Sequence, residues 1–325
     1  MTLRWPGSIR RSPVADPVAL LALAVDAAFG WPDRLYRLIG HPVGAFARII
    51  GRLETWLNRP AWSDSSRRLA GTATLAITLA FAGGVAWGAT LLATHLIGDF
   101  AWIAIGLLAA PGLAQRSLND HVKPIATALA THDIHAARTA VGAIVGRDVA
   151  RLDESGVTRA SIESLAESFC DGVVAPLFWL MVAGLPGLWI YKAINTADSL
   201  IGHREPRWRA FGWASARVDD LANWIPARLS GALLCLAGPG GWRVMARDAR
   251  KHASPNAGWP EAAMAGTLDL RLAGPVSYDG VTQLKPWIGS GRPVATAADL
   301  TRALHVYRRA CLLLWIVTGV LLWVR

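Results

Sequence analysis

Residues Leu69–Gly98, LAGTATLAITLAFAGGVAWGATLLATHLIG, contain no ionisable side chain except that of His95. A helix needs about 20 apolar residues to cross the hydrocarbon core of a bilayer, and this stretch has 30 residues. Its length and its lack of charge therefore predict a transmembrane helix. This helix decides the class of the fold, and the other segments are interpreted relative to it.

Three further apolar segments extend the assignment along the chain. Residues 100–115 follow a predicted turn at Gly98-Asp99 and return the chain to the side on which the first helix began. Residues 310–324 are short for a span, but they lie between arginines that can reach the lipid headgroups. Residues 17–32 follow several arginines and predict an uncleaved membrane segment rather than a signal peptide. Asp26 inside this segment is a functional or packing candidate, because a carboxylate in a membrane is costly.

Two other apolar segments are interrupted by residues that break helices. Residues 172–194 contain Ala183-Gly184-Leu185-Pro186-Gly187, and residues 221–242 contain Pro226 near their start. The first segment is predicted to be either a kinked span or a re-entrant pair of half-helices that enters and leaves on one side. We therefore expect an all-α polytopic integral membrane protein with transmembrane or re-entrant helices and cytoplasmic helical segments. Residues 1–325 are expected to form one domain.

The overall composition supports this class and excludes others. Charged residues make up 17% of the chain, hydrophobic residues make up 53%, and the mean hydropathy is +0.33. A disordered chain is excluded, because it needs low hydrophobicity and high charge. The three cysteines lie in or beside apolar runs, which excludes a disulfide scaffold. The net charge of +10 comes from arginines scattered beside apolar stretches, so no nucleic-acid partner is expected.

The segment Arg159–Asp171, RASIESLAESFCD, has a carboxylate at every fourth position from Glu163 onward. In a helix, Glu163, Glu167 and Asp171 would therefore stack on one face. Such a stripe is either a solvated helix face or a cradle for Mg²⁺, which binds one or two carboxylates together with phosphate oxygens. Because the stripe ends where an apolar segment begins, the cradle is the favoured interpretation.

Two further polar clusters stand beside apolar segments, and their oxygen atoms suit a hard cation. Each cluster taken alone could also be a helix cap or a surface pair. Basic residues near them are candidates for binding phosphate or substrate, because the arginine fork matches phosphate and carboxylate groups. The clusters are Asn195 with Asp198, and Asp219 with Asp220 and Asn223. The basic candidates are Arg116, Lys123, Arg147, Arg217 and Arg228.

Several common sites are missing from the sequence. It contains no G-x-x-x-x-G-K-[ST], no G-x-G-x-x-G after a strand and no Cys/His spacing typical of zinc. The eight histidines are dispersed, so a nucleophile triad cannot be argued. A nucleotide would therefore have to be bound without a P-loop.

Five long segments resemble the CobD/CbiB family of cobalamin biosynthesis, in that family's order and over nearly the whole chain. They are DAAFGWPDRLYRLIGHPV (Asp26–Val43), VGRDVARLDESGVTRASIESLAESFCDGVVAPLFW (Val145–Trp179), YKAINTADSLIGHR (Tyr191–Arg204), FGWASARVDDLANWIPARL (Phe211–Leu229) and DARKHASPNAGWPEAAMAG (Asp248–Gly266). The chain departs from the family at Trp31, where an acidic residue is usual. It also departs at Ser168 and Cys170, where Asn and Ser are common.

The resemblance implies an integral membrane protein with adenosylcobinamide-phosphate synthase activity. That activity joins aminopropanol or its phosphate to a propionate of adenosylcobyric acid, with ATP as co-substrate and Mg²⁺ as cofactor. It implies residence in the inner membrane, contact with the lipid bilayer and an active site that faces the cytoplasm. A homo-oligomer or other membrane-associated enzymes of B12 synthesis are candidate partners.

The resemblance also implies that the candidate residues belong to one active site. The catalytic candidates are Glu163, Glu167, Asp171, Asp198, Asp219 and Asp220, of which the first three are the expected Mg²⁺ ligands. The binding candidates are Asn195, Asn223, Asn256 and Glu261, together with the five basic residues named above. A groove for the corrinoid is expected to be lined by Trp179, Trp189, Trp213, Trp224 and Trp259. Residues 116–171, 194–220 and 242–309 are expected on the cytoplasmic side, where ATP is.

Two other functions remain open on the residues alone. An intramembrane prenyl- or phosphotransferase could use Asp198 and the cluster Asp219–Asn223 to hold a Mg²⁺–diphosphate. A non-enzymatic scaffold or transporter would leave the carboxylates solvated or in an ion pathway.

Overall fold

The computed structural model describes residues 17–324 apart from 147, 279–280 and 284–285, and the chain is 77% helical. The α-helices are α1 (Val18–Phe29), α2 (Asp33–Ile39), α3 (Pro42–Leu57), α4 (Asp64–Ile97), α5 (Ala101–Ala109), α6 (Gln115–Ala130), α7 (Ile134–Gly142), α8 (Glu154–Phe169), α9 (Ala175–Ile201), α10 (Trp213–Ala222), α11 (Trp224–Ala237), α12 (Trp242–Asp248), α13 (Gly258–Leu268) and α14 (Ala297–Val324). A π-helical turn, Cys170–Val174, joins α8 to α9. Single 3₁₀ turns lie at Gly98–Phe100, Ala110–Gly112 and Ala249–Lys251.

Four short strands lie between α13 and α14. Strand β1 (Leu272–Ala273) pairs antiparallel with β4 (Trp287–Ile288), and β2 (Val276–Tyr278) pairs antiparallel with β3 (Val281–Gln283). The sequence showed no run of strand alternation, because each of these strands has only two or three residues. The all-α prediction is otherwise confirmed.

Helix α4 contains the apolar stretch on which the membrane prediction rests. It has 34 residues, which at 1.5 Å per residue is about 51 Å, more than the thickness of a bilayer core. The helix begins after Ser63, whose hydroxyl accepts a hydrogen bond of 3.2 Å from the Ser66 amide. It ends at Gly98, whose φ of 51° turns the chain so that α5 packs back against α4. The turn expected at Gly98-Asp99 is present.

Three helical segments are long and apolar enough to cross a membrane, namely residues 64–130, 154–201 and 297–324. They expose large apolar side chains, among them Leu91 on α4 and Ile316 on α14. Apolar surface of this extent is what a bilayer covers. The chain is therefore a membrane protein.

The second of these segments reverses direction inside α9. At Ala183 and Gly184 the backbone leaves helical geometry, with φ of −132° and +64°. A Cβ added to Gly187 would lie 2.5 Å from the Trp179 carbonyl oxygen, so the two arms of the break are in contact. The Asn195–Asp171 hydrogen bond also joins the two arms, so the segment is a helical hairpin and not one kinked helix.

Two apolar helices are short. Helices α1 and α11 have 12 and 14 residues, or about 18 and 21 Å, which is less than the thickness of a bilayer core. Helix α1 occupies only part of the expected membrane segment 17–32 and packs against α5 and α6. Helix α11 packs against α13 and α14.

Asp26 has a packing role in this arrangement. Its Oδ2 accepts a hydrogen bond of 2.8 Å from the backbone N–H of Gln115, the first residue of α6. The Gln115 side chain donates to the Leu23 carbonyl at 2.6 Å and accepts from the Trp315 indole at 3.0 Å. The buried carboxylate thus caps α6 and connects α1, α6 and α14.

Candidate active site

The open end of the α9 hairpin brings together polar residues that are distant in the sequence. The Asn195 side-chain amide donates a hydrogen bond of 3.3 Å to the Asp171 carboxylate. Helix α10 packs against α9 and contributes Asp219, whose Oδ2 accepts a hydrogen bond of 3.0 Å from the Asn223 amide. The Tyr191 hydroxyl lies 3.0 Å from Asn223 Oδ1 and connects the two elements. The polar clusters predicted on either side of the break therefore meet at one place.

A lysine completes this group. Lys192, on the returning arm of the hairpin, interacts electrostatically with the Asp171 and Asp219 carboxylates. Arg159, one helical turn before Glu163, does not join the group, because its guanidinium carbon lies 5.0 Å from the Trp287 ring centroid. We call the five residues Asp171, Lys192, Asp198, Asp219 and Asp220 the carboxylate cluster.

Asp219 is the most constrained member of the carboxylate cluster. Its Oδ1 is buried and has no hydrogen-bond partner among the residues that the structure describes. Burial, together with repulsion from Asp171 and Asp198, raises the pKa of the Asp219 carboxyl well above its usual value. A buried carboxylate oxygen without a donor costs free energy. The position is therefore suited to bind a cation or to hold a proton.

Asp198 and Asp220 are the remaining carboxylates of the cluster, and both are half-buried. Asp198 is half-buried, and its Oδ1 would lie 1.9 Å from a Cβ placed on Gly202, so only glycine fits beside it. Burial raises the pKa of the Asp220 carboxyl, while the positive charges of Arg217 and Arg204 oppose the shift. The cluster thus combines four carboxylates with cations at its edge.

The predicted metal set of Glu163, Glu167 and Asp171 is not assembled. Among the described residues, no three His, Cys, Asp or Glu side chains converge in a way that could hold a metal ion. The Glu163 carboxylate instead accepts a hydrogen bond of 2.8 Å from the Ala273 backbone amide, Glu167 is exposed, and Asp171 turns toward Asn195. Helical spacing placed the three on one face, but different neighbours engage them.

Mg²⁺ still fits the carboxylate cluster in a different way. Because Mg²⁺ needs only one or two carboxylates when phosphate oxygens supply other ligands, a protein cage of three is not required. The unpartnered Oδ1 of Asp219 is a carboxylate ligand of the kind that such an ion would need.

Arg228 and Asn256 lie at the edge of the cluster. The Asn256 side-chain amide donates a hydrogen bond of 2.7 Å to the Asp220 carbonyl. The Arg228 guanidinium donates to Asn256 Oδ1 at 3.2 Å. Of these two predicted binding residues, Asn256 is thus connected directly to the cluster, and Arg228 is connected through Asn256. Glu261 is buried on α13, and its carboxylate lies 3.8 Å from the His252 imidazole.

The basic candidates of the first polar segment have other surroundings. Arg116 forms an ion pair of 3.3 Å with Asp120, one turn later on α6. Lys123 is exposed on the same helix. Arg147 lies outside the described residues. No contact links Arg116 or Lys123 to the carboxylate cluster within the described part of the chain.

A cavity of about 200 Å³ lies between α6 and α8. Hydroxyl and imidazole groups line it together with aliphatic side chains. Ser168 lines this cavity and precedes Asp171 by three positions in the chain. The polar lining residues are Ser117, His121, Ser164 and Ser168.

Comparison with known proteins identifies the family. The family model described as "CobD/Cbib protein" matches residues 19–307. The chain belongs to the CobD/CbiB family. It is 50% identical over 304 residues to the cobalamin biosynthesis protein CobD of Rhodobacter capsulatus, covering 92% of this chain and 95% of that protein.

Other relatives carry the same name. The chain is 47% identical over 306 residues to CobD of a Sinorhizobium species, covering 90% of this chain and 94% of the relative. It is 46% identical over 299 residues to CobD of Brucella anthropi, covering 88% and 90%. No solved structure matches the chain. As a member of the CobD/CbiB family, the chain has a role in cobalamin biosynthesis.

Lys192 and Tyr191 contact the candidate site but were not among the residues predicted for it from the sequence. Both belong to YKAINTADSLIGHR, one of the segments that carry the CobD/CbiB resemblance. Lys192 precedes Asn195 by three positions, a spacing that places the two on one helix face. That spacing was a usable signal, but an isolated lysine in an apolar segment also fits a cation that reaches the membrane surface.

Proposed function

We propose that the chain is a ligase that joins aminopropanol or its phosphate to a propionate of adenosylcobyric acid, with ATP and Mg²⁺. The observation that carries the proposal is the carboxylate cluster at the open end of a membrane hairpin, with Asp219 Oδ1 buried and unpartnered. A corrinoid substrate follows from the family. The ligation follows from how well such a cluster suits Mg²⁺ and a nucleotide.

Amide formation determines what the site must do. The propionate carboxylate has to be activated by a phosphoryl or adenylyl group from ATP, since its own oxygen does not leave at neutral pH. The amine nitrogen then forms the C–N bond, and the activating phosphate or AMP leaves with the carboxylate oxygen. The amine must also lose a proton, because it arrives mainly as an ammonium ion at neutral pH.

The residues of the carboxylate cluster are suited to these steps. Asp219, with Asp171 or Asp198, would hold Mg²⁺ through carboxylate oxygens. When bound, the ion supplies charge neutralisation for the nucleotide phosphates. The positive charge of Lys192 would offset the negative charge of the Asp171 and Asp219 carboxylates. Asp220, at the solvent edge, is placed to accept the proton of the incoming amine.

The two organic substrates need different surfaces. The amine donor is small and polar, which suits the cavity between α6 and α8. The corrinoid is large and amphiphilic, so the exposed indoles of Trp213 and Trp224 are candidates for its apolar face. The expected tryptophan groove is only partly available. Trp189 is buried against Phe46, and the Trp179 indole donates to the Ala222 carbonyl at 3.2 Å.

We further propose that the site faces the cytoplasm from the inner membrane. ATP is available on that side only. The hydrogen bonds from Asn195 to Asp171 and from Asn256 to Asp220 support one shared compartment for the polar segments.

The direct test is a reconstituted reaction. Purified full-length chain is incubated with adenosylcobyric acid, Mg·ATP, and either aminopropanol or its phosphate, and the corrinoid is analysed by mass spectrometry. We expect an ATP-dependent mass gain equal to the amine minus one water. Asp219→Asn should abolish it, whereas Asp64→Asn, at an exposed carboxylate on α4, should not change it.

Other outcomes of this assay would replace the proposal. Transfer of a prenyl or phosphoryl group without amide formation would identify the transferase alternative. No product with any donor, from protein that is folded and correctly inserted, would favour a scaffold or transporter.

A further inference from the structure

Arg228 is held between two aromatic rings at the edge of the carboxylate cluster. Its guanidinium carbon lies 4.3 Å from the Trp224 ring centroid and 4.6 Å from the Trp259 ring centroid. One of its nitrogens, Nη1, donates to the Trp224 carbonyl at 2.5 Å and to Asn256 Oδ1 at 3.2 Å. Stacking and hydrogen bonding together fix the plane of the guanidinium. Among the described residues no hydrogen bond engages the Nε and Nη2 nitrogens of Arg228, so both are available to a ligand.

The positive charge of Arg228 is not neutralised within the described part of the chain. The ion pairs there involve other residues, and no carboxylate lies within 4.0 Å of Arg228. Partial burial, together with repulsion from the positive charge of Arg250, lowers the pKa of the Arg228 guanidinium. A guanidinium that is partly removed from water and has no carboxylate partner is stabilised when an anion binds to it.

We infer that Arg228 anchors a binding site for a phosphate group. Charge-assisted hydrogen bonds from a guanidinium to phosphate oxygens are short and strong. The planar fork of Arg228 suits bidentate contact with phosphate oxygens, and the indoles of Trp224 and Trp259 shield the contact from water. The site lies beside the reacting groups, because Asn256 bridges Arg228 to the Asp220 carbonyl.

Two sources could supply such a phosphate in the proposed reaction, namely the phosphate ester of the amine donor or a phosphate of the nucleotide. Only this choice of source rests on the proposed function. The site itself follows from the residues around Arg228.

The site is tested first by binding alone. Inorganic phosphate is titrated into the purified full-length chain in detergent, without corrinoid or amine, and the heat of binding is measured. Arg228→Gln should weaken phosphate binding about tenfold or more, the effect of losing charge-assisted hydrogen bonds. Arg243→Gln, which removes an exposed arginine on α12, should bind phosphate as the wild type does.

A second variant distinguishes loss of the phosphate site from misfolding of the Arg228→Gln variant. Asn256→Asp changes few atoms and places a carboxylate against Arg228, where it should compete with phosphate and weaken binding at neutral pH. Absence of phosphate binding by the wild type would overturn the inference. Wild-type affinity in both the Arg228 and Asn256 variants would overturn it as well.

Kinetics then identifies the source of the phosphate. With Arg228→Lys, a raised KM for aminopropanol phosphate with an unchanged KM for free aminopropanol assigns the site to the donor ester. A raised KM for ATP with either donor assigns it to the nucleotide. Unchanged KM values for all three, together with unchanged phosphate binding, would reject the site. Failure of the ligation assay leaves the titration interpretable, so the two proposals fail separately.

Discussion

The Asn195 side chain donates a hydrogen bond of 3.3 Å to the Asp171 carboxylate, although 24 positions separate the two residues. In one continuous helix, 24 residues would place them about 36 Å apart. They meet because the chain reverses at Gly184, so that the start of the π-helical turn and the returning arm of α9 lie at the same level. This contact closes the open end of the hairpin and builds the carboxylate cluster.

The reversal depends on one glycine. Gly184 has φ of 64° and ψ of −159°, a conformation open essentially only to glycine. We expect Gly184→Ala to lower the free energy of unfolding by about 1–3 kcal/mol, measured by thermal denaturation in detergent. Gly88→Ala is the matched control, since an added Cβ there meets no atom within 4 Å, and it should be neutral or slightly stabilising. Equal stability of the two variants would contradict the hairpin turn.

Asp219 should make the stability of the protein depend on pH. Because the pKa of its carboxyl is raised in the folded state, its favourable contribution is complete below about pH 4, the usual pKa of an aspartate. It is lost as the pH rises through the folded pKa. Asp219→Asn removes this titration, so the variant should melt at a higher temperature than wild type at pH 8 in EDTA. The difference should shrink toward pH 4, and Asp64→Asn should show no such trend.

Asp248 should show the opposite dependence. It is fully buried and accepts hydrogen bonds from Arg247 and Lys251 at 2.7 Å and from the Gly289 amide at 2.9 Å. The Arg247 hydrogen bond outweighs burial and, with Lys251 and Gly289, holds the pKa of the Asp248 carboxyl well below its usual value. The stabilisation is therefore present above about pH 4 and lost as the pH falls.

Asp248→Asn should consequently lower the free energy of unfolding at pH 7 by about 1–3 kcal/mol. Denaturant titrations from pH 7 to pH 3 would measure the change, and the gap to wild type should narrow with acidity. A gap that is independent of pH would show that packing, rather than charge, explains the loss.

The two ends of the predicted carboxylate stripe should behave differently. Asp171 contacts Asn195 and interacts with Lys192 and Asp219, whereas Glu167 is exposed. We expect Asp171→Asn to reduce corrinoid amidation roughly a hundredfold by misplacing the reacting groups. Glu167→Gln should stay within a few-fold of wild type. Equal losses in a rate assay against Mg²⁺ concentration would restore the stripe as a functional unit.

Topology gives a prediction that needs no activity. Cysteines are introduced singly at Ser199, Lys251 and Asp99, all of which are exposed, and are labelled with an impermeant maleimide in sealed vesicles. Positions 199 and 251 should react from the same side. Position 199 directly follows Asp198 of the carboxylate cluster, and position 251 lies five residues before Asn256, which donates a hydrogen bond to the Asp220 carbonyl. Position 99 should react from the opposite side, because α4 crosses the bilayer between them. Labelling of 199 and 251 from different sides would refute the shared compartment.

The sequence by itself determined the membrane class, the long span in α4 and the turn at Gly98. These features depend on local composition, since a run of apolar residues long enough to cross a bilayer has few alternatives. It also determined where α9 breaks, because Gly184 and Pro186 disfavour a continuous helix. The polar clusters on either side of the break were also recognisable, because they too depend on local composition.

The tertiary structure alone decided which of these groups act together. Helical spacing placed Glu163 and Glu167 with Asp171, yet Glu163 is occupied by the Ala273 amide, and Lys192 joins Asp171 from the returning arm. Such contacts join residues far apart in the chain, and they depend on how two arms rotate and pack against each other. The spacing of Lys192 and Asn195 indicates a shared helix face, but only the folded chain shows that this face meets Asp171 and Asp219.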